Sequence, residues 1–89
     1  MRYAGTLGSM YVEFKYIPKS PRRPINPKLS AHQKKWLREE YGVGTHIAVI
    51  VITEGGVQIY PDISWEKPKL NLVTKKEAAQ WIVDQVSPR

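Results

Sequence analysis

The chain has 89 residues, a formal net charge of +6 at pH 7 and no cysteine. That length makes one domain with one modest core, a size that often leans on a partner or an oligomer. The composition excludes a disulfide framework and a thiolate metal site, and no apolar run is long enough to span a membrane. With no basic-then-apolar start of the signal-peptide kind, the chain is expected in the cytoplasm.

Arg2 to Leu7 reads as a short strand, and Gly8-Ser9 as a tight turn into a second strand, Met10 to Ile17. Alternation along that second strand places Met10, Val12, Phe14 and Tyr16 on one apolar face and Glu13 with Lys15 on the other. A carboxylate and an ammonium side by side on a rigid strand suit binding of a divalent metal and polarisation of a water. Many half-buried strands carry the same pair on a solvated face, so the pair alone leaves both readings open.

Charge is concentrated just downstream. Lys19, Arg22, Arg23, Lys28, Lys34 and Lys35 fall between residues 19 and 35, with His32 and without any acid. Clustered cations favour a polyanion, because Lys and Arg release counterions from phosphates, and they make nucleic acid the expected partner. Pro18, Pro21, Pro24 and Pro27 stiffen the arm at 18–29 into an extended, non-helical segment. Such an arm suits a phosphate backbone, and it also suits a solvent-exposed connection or a proline-rich ligand for a protein domain.

Ser30-Ala31-His32-Gln33 has the form of a capping box and predicts a helix from Ala31 to about Tyr41, stopping at Gly42. Gln33, Trp36, Leu37, Glu40 and Tyr41 share one helical face, while Lys34, Lys35 and Arg38 point elsewhere. Thr45 to Thr53 is a continuous β-branched run of the kind buried on both faces of a sheet. Glu54-Gly55-Gly56 turns it into a short strand, Val57 to Tyr60, ended by Pro61. Residues 63–72 read as irregular. Thr74 to Glu77 is a second capping box, opening a closing helix whose apolar stripe is Ala78, Trp81, Ile82 and Val86.

The expected architecture is a single α/β domain over residues 1–89, a small mixed β-sheet in ββαββα order. The helix between the strand of Glu13 and the long apolar strand acts as a crossover, making those two strands parallel and the connection right-handed. His32 and His46 are too few and too isolated for a zinc site or a catalytic dyad: His32 faces solvent or DNA and His46 begins a strand. Gly55-Gly56 is a hairpin turn and no phosphate-cradling glycine loop is present.

The run Tyr11-Val12-Glu13-Phe14-Lys15-Tyr16-Ile17-Pro18 leads into a basic, proline-containing loop and then Leu29-Ser30-x-x-Gln33-x-x-Trp36-Leu37. Gly44 and a β-branched strand follow. Over residues 9 to 60 this resembles the PD-(D/E)xK nuclease superfamily, most nearly the small phage members of the virus-type replication-repair nucleases, which are similar to Holliday-junction resolvases. The resemblance implies a restriction-endonuclease-like core and metal-dependent hydrolysis of phosphodiesters in branched or single-strand-containing DNA. It implies that Glu13 is a carboxylate ligand of Mg or Mn and that the Val12 carbonyl is a further ligand. Lys15 would orient the attacking water and steady the developing charge. Gln33 would line the site, or serve Ser30 as its capping partner, or both. Relatives of this kind are often dimers.

One departure stands out. The family carries an aspartate, usually after a proline, on the strand before E-x-K, and this chain has no Asp or Glu ahead of Glu13. The position of that aspartate falls at or just upstream of Met1. Pro61-Asp62 has the same letters but follows the motif, and reads as coincidence. Three expectations result: an active nuclease centred on Glu13 and Lys15; a DNA-binding derivative with catalysis weakened or lost; or a phage-encoded protein-binding inhibitor of a host nucleic-acid enzyme, acting in the host cytoplasm. Trp65 would be the anchor in the third, unless it is simply a lid on the core.

Overall fold

The computed structural model describes residues 2–5 and 8–86, with side chains from residue 9 onward. The chain forms β1 (Arg2–Gly5), β2 (Gly8–Ile17), α1 (Ala31–Gly42), β3 (Ile47–Thr53), β4 (Gly56–Pro61), a single 3-10 turn (Ser64–Glu66) and α2 (Lys75–Val86). One mixed sheet joins the strands in the order β1-β2-β3-β4. The fold is thus a small α/β domain with two α-helices on a mixed sheet.

Register shows why. β1 and β2 pair antiparallel with Gly5 opposite Gly8 and Ala4 opposite Ser9, so the expected turn at Gly8-Ser9 is instead strand. The strand reading for Thr6 and Leu7 lies outside the described residues. β2 and β3 run parallel, Glu13 opposite Val49 and Lys15 opposite Val51, as a helical crossover requires. β3 and β4 form a hairpin with Val49 opposite Tyr60 and Val51 opposite Gln58. β3 starts two positions later than the β-branched run begins, because the Thr45 amide and hydroxyl are both turned back onto Glu40, at 2.9 and 2.6 Å.

The single core expected from length is in fact divided by the sheet. Met10, Val12, Ala48 and Ile50 meet Ala78, Ile82 and Val86 of α2 on one face. Ile47, Val49, Val51 and Tyr60 meet Leu37 of α1, Trp65 and the arm residues Ile25 and Leu29 on the other. Central β3 is covered from both sides, which is why its sequence is apolar without alternation. The face read as continuous from Met10 to Tyr16 stops at Phe14: Tyr16 is 67% exposed, beyond the cluster under α2. Tyr41, on the same face of α1 as Leu37, is exposed near the helix end, while Leu37 is the fully buried residue.

Both helices begin as their caps predict. Ser30 Oγ accepts from the Gln33 amide at 3.1 Å while Gln33 Oε1 accepts from the Ser30 amide at 3.0 Å. Thr74 and Glu77 make the same reciprocal pair at 3.0 and 3.2 Å. Among the described residues, no helix is long and apolar enough to cross a membrane.

The arm is held down. From Ile25 to Ser30 burial alternates strictly, with Ile25, Pro27 and Leu29 inside and Asn26, Lys28 and Ser30 outside. That is the pattern of an extended chain lying on an apolar surface. The Ile25 amide donates to the Lys69 carbonyl at 2.8 Å. The buried Tyr60 hydroxyl meets the Ile25 carbonyl, lies 3.0 Å from the Lys69 carbonyl and accepts from the Lys69 amide at 2.9 Å. A solvent-exposed connection is therefore the wrong description of the second half of the arm. Residues 63–72, expected to be irregular, pair with the arm through Ile25–Lys69, and Val73 just beyond them pairs with Val57 of β4.

Candidate functional site

Glu13 and Lys15 lie on the α1 face of β2, between the half-buried side chains of Tyr11 and Ile17. Their side chains are 21% and 25% exposed, too covered for a solvated strand face. Helix α1 crosses above them and lowers Gln33 between the two. Gln33 Nε2 donates to Glu13 Oε1 at 3.0 Å, and Lys15 Nζ donates to Gln33 Oε1 at 3.1 Å. Lys15 Nζ is 3.8 Å from Glu13 Oε1, a contact of charges rather than a hydrogen bond. Three candidates separated by up to 20 positions thus share one hydrogen-bonded network.

The capping box explains how Gln33 is aimed. The carbonyl oxygen that receives Lys15 also receives the Ser30 amide, so the side-chain amide has one orientation. Its NH2 end is then directed at Glu13. The cap and the site roles of Gln33 are one arrangement.

Tyr11 completes the network and was not singled out from the sequence. Its hydroxyl donates to Glu13 Oε2 at 3.1 Å, and its ring meets Trp36 of α1 edge-on with centroids 4.6 Å apart. The signal was present: Tyr11 stands two positions before Glu13 and so shares its face. Trp36 stands one helical turn after Gln33 and so shares that side of α1.

The donors can be tested against a divalent metal. Glu13 is the carboxylate of the site, and each of its oxygens already accepts a hydrogen bond. Gln33 Oε1 accepts two. Among the described residues, no group of three His, Asp or Glu side chains could hold a metal. Asp62 follows β4 and is exposed, with its backbone amide bound to the Ile47 carbonyl at 2.8 Å. Residues opposite Ile47 lie two strand spacings from β2, roughly 10 Å away. Hard cations of this type take six oxygen ligands, and one carboxylate beside an ammonium is a poor start. The donor set is thus a sparse one: Glu13 would be the single carboxylate on a Mg or Mn ion, with water and a substrate phosphate left to supply most of the other ligands.

The remaining cations divide into two kinds. Lys35 pairs with Glu39 at 3.9 Å, and Arg38 pairs with Glu66 at 2.7 Å while lying 5.2 Å above the Trp65 ring. Among the described residues Lys19, Arg22, Arg23, Lys28 and Lys34 make no ion pair. The Lys35 pair is long and largely exposed, so it leaves that ammonium open to an outside anion. Lys19, Arg22 and Arg23 border one shallow groove of the arm. Lys28 and Lys15 border a second, smaller cavity. Lys34 lies on α1 with Arg38, beside Trp65.

Trp65 is 4% exposed, so it packs as a lid over the α1-side core and cannot serve as a protruding anchor. His32 is exposed on α1 and His46 directly precedes β3, apart from the network of Glu13.

Among known proteins, no family model, no curated protein and no solved structure matches this chain.

Proposed function

We propose that this chain is a DNA-binding protein built on a nuclease-like core, with phosphodiester cleavage weakened or lost. On this reading the ββαββα core is restriction-endonuclease-like, and branched or single-strand-containing DNA is the partner. One observation carries it: the arm is held at Lys19 and again from Ile25 to Leu29, so Lys28 stands on an anchored backbone and the exposed Arg22 and Arg23 lie between two anchors. A cation row already ordered gives up less freedom on meeting a phosphate backbone than a loose tail does. Weak or absent cleavage follows from Glu13 standing as a single carboxylate with both oxygens engaged.

The test is binding of branched and single-stranded DNA, read by fluorescence anisotropy over a series of salt concentrations. Affinity should fall steeply with salt, and Arg22→Ala with Arg23→Ala should weaken binding and lower the salt slope by about two. Lys76→Ala, on α2 across the sheet, should change neither. Binding indifferent to salt and to both arginines would remove the proposal. Cleavage in Mg²⁺ or Mn²⁺ that vanishes in Glu13→Ala and Lys15→Ala would restore a full endonuclease role.

A further inference from the structure

Tyr16 ends a row of side chains that crosses the sheet on its α2 face. It stands opposite Ile52 of β3, Ile52 stands opposite Val57 of β4, and Val57 is bridged to Val73. Ile52, Val57 and Val73 pack in or against the core under α2. Tyr16 is 67% exposed, because that helix begins at Lys75 and buries side chains only from Ala78 onward. Beside it opens a groove of about 450 Å³, bounded by Tyr16, Ile52, Leu72 and the turn at Glu54 and Gly55. The basic arm starts at that same turn. The Glu54 amide donates to the Lys19 carbonyl at 3.3 Å, and Ser20 Oγ lies 3.3 Å from where a Cβ on Gly55 would stand. We infer that the groove takes an unpaired nucleobase of single-stranded DNA, stacked on Tyr16, while the phosphates of the strand follow Lys19, Arg22 and Arg23. The inference rests on the nucleic-acid reading above and deepens it: Tyr16, on the face of the sheet away from Glu13, selects single strand over duplex.

Three features select that ligand. Every base has a π-face, and an exposed aromatic ring on a strand offers it a stacking surface whatever the sequence. The charged residues bordering the groove are two glutamates, Glu54 and Glu77, against one lysine, Lys75. A phosphate gains nothing there, so the part of the ligand that enters is its uncharged ring. The free cations lie on the arm instead: Lys19, Arg22 and Arg23 are exposed and among the described residues make no ion pair. A nucleotide strand carries a neutral ring and an anionic linkage side by side, as the groove and the arm require. An apolar peptide carries only the first. In a duplex the base faces are already stacked on one another, which leaves Tyr16 without a partner.

The experiment labels the full chain with 3-fluorotyrosine and follows the Tyr16 signal, assigned through Tyr16→Phe, by fluorine NMR. The probes are a deoxyadenosine oligonucleotide, a strand of equal length whose sugars carry no bases, a duplex, and deoxyadenosine. The oligonucleotide is expected to move Tyr16 saturably, and the abasic strand and the duplex are not. In binding assays Tyr16→Ala should weaken the oligonucleotide about tenfold and leave the abasic strand and the duplex unchanged. Tyr16→Trp should retain the affinity. A still Tyr16 signal, or equal oligonucleotide affinity in Tyr16→Ala and the parent, would overturn the inference. A Tyr16 signal that moves with protein concentration alone would give the groove to a second copy and overturn it too. Oligonucleotide binding that needs Arg22 and Arg23 while Tyr16 stays still keeps the proposed function and removes this inference. A Tyr16 response to deoxyadenosine, with no salt-dependent oligonucleotide affinity, keeps the base seat and removes the proposed function.

Discussion

Gln33 of α1 donates to Glu13 of β2 across 3.0 Å, and this bond ties the first turn of the helix to the middle of the sheet. The amide is fixed from behind by Ser30 and from the side by Lys15, so it has no alternative orientation that keeps all its partners. Replacing it removes bonds from partly buried charged groups and breaks the reciprocal cap at once.

Gln33→Ala is therefore expected to cost about 1–2 kcal/mol of stability, read as a lower urea midpoint with unchanged slope. In a double-mutant cycle with Lys15→Met the two changes should be non-additive, since they share one network. Simple additivity would mean the amide acts through the cap alone.

Tyr60→Phe deletes one oxygen and leaves the carbonyls of Ile25 and Lys69 and the Lys69 amide short of a partner. A cost of about 1–3 kcal/mol is expected. The local reporter is the Ile25 amide, bonded to Lys69, whose hydrogen exchange should quicken more than that of amides at the centre of β3. Uniform quickening would show that the arm has no separate anchor.

The same phenol gives a pH signature. Burial pushes the Tyr60 hydroxyl above its ordinary value of 10.0, and the Lys69 backbone hydrogen bond opposes that in part. The folded chain thus keeps a proton that the unfolded chain releases near pH 10. This contribution to stability is level below that pH and is lost as pH rises past it. Urea midpoints measured across the alkaline range should fall for the parent and fall less for Tyr60→Phe.

Gly56 opens β4 with φ 139°, and a Cβ there would come within 2.8 Å of the Val73 carbonyl oxygen and 3.1 Å of Leu72 Cβ. That carbonyl accepts the Val57 amide, so it cannot give way freely. Gly56→Ala should cost about 1–3 kcal/mol, checked by thermal or urea unfolding. A neutral result would show that the 69–73 segment moves easily off the edge of β4.

Much of the fold was legible because it rests on short-range rules. Both capping boxes sit where Ser30 and Thr74 predicted, and the parallel pairing of β2 with β3 followed from the helix between them. The candidate site was partly legible: Glu13 and Lys15 share a face by alternation alone, and Gln33 joins them through the crossover. Tyr11 was passed over because a tyrosine on a strand usually signals packing. The seating of the arm was hidden for a different reason. Its anchors, Tyr60 and Lys69, lie far along the chain, and prolines announce extended backbone without saying what it lies against. Tyr16 is exposed although it shares a face with Met10, Val12 and Phe14, because periodicity gives the face of an element but not the extent of the layer that covers it.

Tyr60 also dates the basic surface within folding. Its hydroxyl meets Ile25 from 35 positions downstream, on a strand that must first pair with β3. Contacts of that separation close late, after local helices and turns have formed. A chain still emerging, with β4 not yet made, carries Arg22, Arg23 and Lys28 on an unanchored tether. Only completion of the hairpin brings Tyr60 to Ile25, so anchoring of the basic arm is coupled to the closure of β4 onto β3.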